Sequence, residues 1–353
     1  MMSSKYSNRE KNGARAGGAP TVQHVARMAG VSTATVSRAI SHPDRVSQQT
    51  RATVEEAIRK TGFVLNVNAR NLRRGKAGAI VVILPNLGNP FFSRILAGIE
   101  QVFAGSGHSV LIADSRQGGT GQTLAYLSAS RADGLIILDG SLTDDTMRRA
   151  AGELPPAVFA CEWADGTMLP CVHIDNRGAA ALAVTHLSAL GHARIGHLRG
   201  PAGNVLSVER EAGLRNALAG RGLAVREDWF LPGDFSLNAG IDAARAFLKL
   251  AERPTAMFSA NDEMAFGFIS ELDRHGVRVP RDVSIVGFDD IEVATCFIPP
   301  LTTIHQPREA LGMTAARRLA EAMRNAENRQ GDRTVLPVEL IVRGSTGPAP
   351  DGR

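Results

Sequence analysis

Residues 21–40 read TVQHVARMAGVSTATVSRAI. Val22, Val25, Ala26 and Ala29 recur at the spacing of one buried helical face. Gly30 then suits a helix end, because glycine adopts positive φ without strain. Val31 can plug the angle between this helix and the next, and Ser32 stands where an N-cap belongs. Residues 33–40 form the second helix, with Val36 and Ile40 inward and Thr33, Ala34, Ser37 and Arg38 outside. This is the layout of a helix-turn-helix, whose second helix enters the DNA major groove. An ordinary helical hairpin is the plainer alternative. After a turn at 41–44, Ser47 can cap a third helix at 48–60, striped by Val54, Ala57 and Ile58 and ended by Gly62.

The bulk properties agree. The chain has 353 residues, 44% of them apolar, enough for two or three globular domains. The net charge of +5 is unevenly placed: residues 1–78 hold 14 Lys and Arg against 4 Asp and Glu, a net of +10, which leaves −5 for the rest. A basic head on an acidic body points to a polyanionic partner, with a solvated basic tail as the alternative. Cys161, Cys171 and Cys296 show no metal-binding spacing, which suits a reducing compartment. Residues 1–20 are polar and basic, read as a disordered tail and not a signal peptide. No apolar run approaches the roughly 18–20 residues of a membrane span, so a cytoplasmic protein without membrane contact is expected.

Residues 21–40 closely resemble the N-terminal signature of the lactose-repressor (LacI/GalR) family of bacterial transcription regulators. VSTATVSRAISHPDRVSQQTR, at 31–51, is similar to the cytidine-repressor branch of that family. The resemblance also informs NVNARNLRRG, at 66–75, which by pattern alone is a basic linker. It implies a hinge helix that forms on the operator, pairs with its dimer mate and pushes a leucine into the minor groove. Leu72 stands at that leucine's position, and Asn66 and Ala69 count with it as DNA-binding. Leu65 replaces the proline that the family usually has before the asparagine, so a rigid helix start is lost and a flexible tether stays open.

From residue 79 onward, short β-branched runs alternate with amphipathic segments. The runs lie at 79–84, 109–113, 134–138, 157–160, 171–174, 194–198, 255–259 and 284–288. The helical segments include 93–104, 178–190, 209–221, 239–250 and 262–275. Such alternation implies βαβ units and parallel sheets, with strands apolar on both faces and too many for one compact sheet. The expected fold is therefore α/β, with a small all-α head before a two-lobed core. The resemblance implies a core like a type I periplasmic binding protein, with crossovers near Asp175, Ile304 and Pro337. It extends over 20–347 and includes NDEMA at 261–265, SIVGFDD at 284–290 and PPLTTI at 299–304. The expected domains are a head at 21–65, a hinge at 66–77 and an effector-binding, dimerising core at 78–347. Lobe 1 spans about 78–174 and 305–337, and lobe 2 about 175–304 and 338–347.

No catalytic constellation is found: HExxH, the Walker P-loop and GxSxG are all absent. His186, His192 and His197 fall on a helix, a turn and a strand, so no metal is expected. Gly118, Gly119 and Gly121 read as a loose loop, and no cofactor is expected. In open α/β sheets, ligands sit beyond the carboxyl ends of strands. Phe91 and Phe92 follow the first strand and can offer a stacking face, or be plain core. Asn261 and Asp289 each follow a later strand, and Asp289 can accept from hydroxyls or cap the next helix. The resemblance adds Arg210, read at the mouth of a helix, for effector oxygens, Phe235 as a flanking aromatic, and Gln306. Cys161 stands where relatives often carry a polar side chain.

These readings lead to a homodimeric transcription repressor, not an enzyme, on a palindromic double-stranded operator. A nucleoside or sugar effector binds between the lobes. Thr33, Ala34 and Arg38 meet base edges, with Arg38 able to grip guanine bidentately. Ser32, Thr35, Ser37 and Asn66 position the phosphate backbone. A solute-binding transport protein and a cytoplasmic nucleoside- or sugar-binding protein or enzyme share the expected core, but not the basic head.

Overall fold

The helical signals at 21–40 appear residue by residue in a computed structural model. It describes residues 20–63, 77–116, 132–143, 145, 147, 154–325 and 331–350. The chain divides into two compact units, a helical head and an α/β core. The hinge positions Asn66, Ala69 and Leu72, the tail at 1–19 and the glycines at 118–121 lie outside the described residues.

In the head, α1 (Val22–Ala29) ends at Gly30, whose φ of 65° is the left-handed conformation that lets its N–H return to the last helical carbonyls. α2 (Thr33–Ser41) starts at Ser32, whose Oγ accepts the Thr35 amide at 3.1 Å. α3 (Gln48–Thr61) starts the same way from Ser47, which accepts the Thr50 amide at 3.2 Å. Val25, Val36 and Val54, one from each helix, meet in the centre, with Val31 and Phe63 packed against them. Each of these valines contributes about 1.5 kcal/mol or more by leaving water.

The core holds two six-stranded sheets. β1 (Ala79–Leu84), β2 (Ser109–Asp114), β3 (Gly134–Ile137), β4 (Ala157–Ala160) and β5 (Cys171–Ile174) build the first. β6 (Ile195–Leu198), β7 (Phe230–Leu231), β8 (Ala256–Ser259), β9 (Ser284–Asp289) and β10 (Thr302–His305) build the second. The chain then returns through a helix to β11 (Arg333–Leu336) on the first sheet and ends in β12 (Glu339–Ile341) on the second. The orders are β11-β5-β4-β3-β1-β2 and β12-β10-β9-β8-β6-β7. All pairings are parallel except that of β10 with β12. The chain therefore passes between sheets after β5, after β10 and between β11 and β12. Helices α4 (Phe91–Phe103), α5 (Asn176–Ala189), α6 (Val205–Ala219), α7 (Leu237–Leu248), α8 (Asp262–Arg274) and α9 (Arg308–Arg324) cover the sheets.

Three details differ from the sequence reading. β2 is not buried on both faces: Leu111 and Ile112, which point to opposite faces, are both 47% exposed. β7 and β10 to β12 escaped notice because they are short. α6 begins at Val205, four residues before the expected start, because Asn204 caps it by accepting the Leu206 and Ser207 amides. Arg210 thus lies in the second turn of the helix and not at its mouth. Among the described residues, no helix is long and apolar enough to cross a membrane, and no group of side chains is placed to hold a metal ion.

Candidate functional site

On the head, Thr33, Ala34, Ser37 and Arg38 are exposed on α2, while Val36 and Ala39 are buried behind them. Ser32 and Thr35 share a hydroxyl contact of 2.9 Å at the helix start, where the positive end of the helix dipole lies. Positions 33, 34, 37 and 38 thus form one solvent-facing strip.

The core carries a cavity of about 630 Å³ between its lobes. Phe91, Phe92 and Cys161 line it from the first lobe, and Arg210, Phe235, Asn261 and Asp289 from the second. Gln306 does not line it. Its Nε2 instead donates to Asp289 Oδ1 at 2.7 Å.

Arg210 is 2% exposed, unusually deep for a guanidinium. Its Nε donates to Asn176 Oδ1 at 2.9 Å and its Nη1 to the Ala260 carbonyl at 2.5 Å. The guanidinium lies 3.6 Å over the Phe288 ring and 5.9 Å from that of Phe235. Burial lowers its pKa to about 10, opposed by the charges of Asp289 and Glu162. Asp289 is the counterpart. Burial raises its pKa to about 7, while Arg210 and the Gln306 hydrogen bond pull it down. Beneath it, fully buried Asp262 accepts the Thr303 hydroxyl at 2.6 Å and the Ile291 amide at 2.9 Å. Burial, then the charge of Asp289, holds Asp262 well above the usual carboxylate range.

Backbone strain gathers here. Among the described residues, Cys161 (φ 66°), Phe235 (φ 70°), Asp289 (φ 115°) and Asp290 (φ 53°) are the non-glycine residues with positive φ, and the first three line the cavity. Such conformations cost about 1–3 kcal/mol each and persist where the surroundings enforce them. Phe235 is enforced from two sides. Asn261 Nδ2 donates to its carbonyl at 3.0 Å, and Gly200 leaves the space that its ring occupies, since a Cβ there would sit 2.4 Å from Cε1. Asn261 also caps α8 by accepting the Met264 amide at 3.1 Å. It therefore acts through Phe235 and the helix. Phe91 and Phe92 are buried and pack edge to face at 5.3 Å, so they are both core and cavity wall. The Cys161 thiol is raised well above its usual range, first by burial and then by Glu162.

The sequence reading missed the acids of the first lobe. Asp139 accepts the Ser141 hydroxyl at 2.6 Å and also the Ser115 hydroxyl. Glu162 accepts the Gly140 amide at 2.8 Å and, across the cleft, Asn204 Nδ2 at 2.9 Å. The latter contact joins the lobes at the cap of α6. Burial raises the pKa of Glu162, and these two hydrogen bonds oppose the rise. Both acids follow the carboxyl ends of strands, β3 and β4, so the rule that singled out Asn261 and Asp289 would have found them. Trp163, next to Glu162, also lines the cavity. The histidines of 186–197 serve the fold: His192 hydrogen-bonds Thr255 and Ser284, and His197 hydrogen-bonds the Phe258 carbonyl and stacks on that ring.

Residues 21–66 match the bacterial regulatory proteins of the lacI family, and residues 184–346 match the periplasmic binding protein-like domain. The chain is 42% identical to the HTH-type transcriptional repressor CytR of Escherichia coli (strain K12), over 94% of this chain and 98% of that one. It is 34% identical to the HTH-type transcriptional repressor PurR of Vibrio cholerae serotype O1 (strain M66-2), over 87% and 93%. Among solved structures, it resembles the lac repressor dimer bound to operator and the anti-inducer ONPF, with a TM-score of 0.81, 32% identity and coverage of 93% and 99%. It also resembles the complex of the transcriptional regulator CelR with cellobiose, with a TM-score of 0.70, 32% identity and coverage of 92% and 99%.

Proposed function

The chain belongs to the LacI family of bacterial regulatory proteins, and from that premise we propose that it is a sequence-specific transcription repressor controlled by a small molecule bound between its lobes. The observation that carries the control is the two-lobed cavity: a buried arginine, a buried carboxylate and strained residues face a space of about 630 Å³. A cleft with convergent polar groups and aromatic walls is the usual form of a small-molecule site. Arg210 donates and Asp289 accepts, while Phe91, Phe235 and Trp163 offer flat faces. A nucleoside or a sugar meets that description.

The domains of this reading are the head at 21–65, a hinge at 66–77, lobe 1 at about 78–174 and 305–337, and lobe 2 at about 175–304 and 338–347. Two copies bind a palindromic operator, each placing α2 in a major groove. Thr33, Ala34 and Arg38 read bases. Ser32, Thr35, Ser37 and Asn66 hold phosphates, and Leu72 wedges the minor groove. The effector prefers one arrangement of the lobes, and that preference is the coupling free energy. The protein acts in the cytoplasm, without catalysis and without a cofactor.

A thermal-shift screen of nucleosides and pentoses on the full chain tests the cavity. A ligand at a hundred times its dissociation constant stabilises by about 2.7 kcal/mol. Stabilisation that Asp289→Asn abolishes is expected. A stabilising compound whose effect survives that change would place the effector elsewhere.

A further inference from the structure

Behind Trp163 lies a second cavity, of about 280 Å³, walled by Trp163, His173, Asn176, Glu209, Arg333 and Val335. Trp163, His173, Arg333 and Val335 belong to the first sheet and its loops, whereas Asn176 and Glu209 stand on α5 and α6. The space sits where β5 runs into α5 and where β11 leads to β12, beside two of the three passages between sheets.

His173 is 8% exposed. Its Nδ1 lies 2.9 Å from the Ile174 carbonyl, so Nδ1 carries the proton and donates it, which leaves Nε2 as a bare acceptor. Nε2 is buried and has no hydrogen-bond partner among the described residues. A buried acceptor is favoured by a donor, and His173 walls the cavity from which one can come.

The charges around the cavity narrow the occupant. The Arg333 guanidinium lies 5.6 Å over the Trp163 ring. Arg177 holds both oxygens of Glu209, at 2.6 and 2.8 Å, and Asp175 accepts the Gly178 amide at 2.9 Å. A cation would meet Arg333 and Arg177. An anion would meet Asp175, Glu209 and the His173 lone pair. A hydroxyl both donates and accepts and carries no charge, and the indole is a flat seat for a C–H face. We propose that this cavity is a second binding site, beside the passages between the lobes, for a small neutral polyol, one hydroxyl of which donates to His173 Nε2. The occupant touches both lobes and shares the Trp163 wall with the main cleft, so it biases the lobe arrangement that the main cleft also reads. The site does not depend on the DNA-binding reading.

The chain has two tryptophans, so 5-fluorotryptophan labelling gives two fluorine resonances. In a titration of the full-length protein with meso-erythritol, the Trp163 resonance shifts saturably, while that of Trp229, buried against the Glu252 carbonyl, stays still. Val335→Phe, which fills the cavity from an exposed position, abolishes the shift. His173→Phe weakens binding about 2- to 12-fold, the value of one neutral hydrogen bond. Asp289→Asn leaves the shift in place. Absence of a saturable shift would show a cavity that holds water only and would overturn the proposal. So would a shift that Asp289→Asn removes and Val335→Phe spares, or a response to ethylammonium in place of erythritol.

Discussion

Asp289 Oδ1 accepts a 2.7 Å hydrogen bond from Gln306 Nε2, which ties the cleft carboxylate at the end of β9 to the segment leaving β10 for the first lobe. The cavity-facing acid is thus anchored on a passage between the lobes. Any movement of that passage moves the acid, and any ligand that orders the acid acts on the passage.

Protonation of Asp289 should show in the pH dependence of stability. Its folded pKa, about 7, lies above the ordinary value of 3.8. Between these values the folded chain keeps a proton that the unfolded chain has lost, so stability falls as pH rises through the window and levels off above it. Asp262, raised in the same direction, adds the same sign. The melting temperature of the wild type should decline from about pH 4 to pH 7 more steeply than that of Asp289→Asn. Equal slopes would mean that Asp289 is ionised throughout.

Arg210 is invested in its own lobe as well as in the cleft. Removing it orphans Asn176 Oδ1 and the Ala260 carbonyl and leaves Asp289 without its cation. Arg210→Ala should therefore destabilise the core, because each of the two acceptors left without its donor costs about 1–3 kcal/mol. Arg210→Lys keeps the charge and loses the fork. It should retain the fold by calorimetry and weaken effector binding. Unchanged effector affinity in Arg210→Lys would remove the fork from the contact.

The head can be tested by its cap. Ser32 satisfies the Thr35 amide, so Ser32→Ala should destabilise the head by about 0.5–2 kcal/mol, read by amide exchange in α2. Exchange at wild-type rates would show that the cap contributes nothing.

The hinge residues lie outside the described structure, so Leu72 rests on family resemblance. If Leu72 is a wedge, Leu72→Ala should reduce operator bending in circular-permutation gel shifts and weaken specific more than non-specific binding. An unbent wild-type complex would favour the tether that Leu65, in place of proline, allows.

How legible these features were in the sequence depended on how local their causes are. The head could be read because its signals are contiguous: Val22, Val25, Ala26 and Ala29 on one face, then Gly30, then Ser32. Asp289 could be read because it directly follows an apolar strand. Asp139 and Glu162 obey the same rule, since each stands two residues past the end of its strand. The start of α6 was missed because Asn204 is followed by Val205 and Leu206, which carry no polar first-turn signal. The support of Phe235 by Gly200 and Asn261, and the Glu162–Asn204 contact, join distant segments and leave no local pattern. The burial of Arg210 is of the same kind.

Fluorescence anisotropy on a palindromic operator, with scrambled DNA beside it, tests the central claim most directly. The +10 charge of residues 1–78 implies six or more phosphate contacts, hence a log–log salt slope steeper than about −5. Arg38→Ala should cost about 1–3 kcal/mol and relax one base per half-site. The compound that stabilises the core should change operator affinity by some factor in the wild type, and operator should change the compound's affinity by that same factor. In Asp289→Asn, operator affinity should stay while the response disappears. Equal affinity for operator and scrambled DNA, or operator binding that ignores a compound seated in the cleft, would contradict the account.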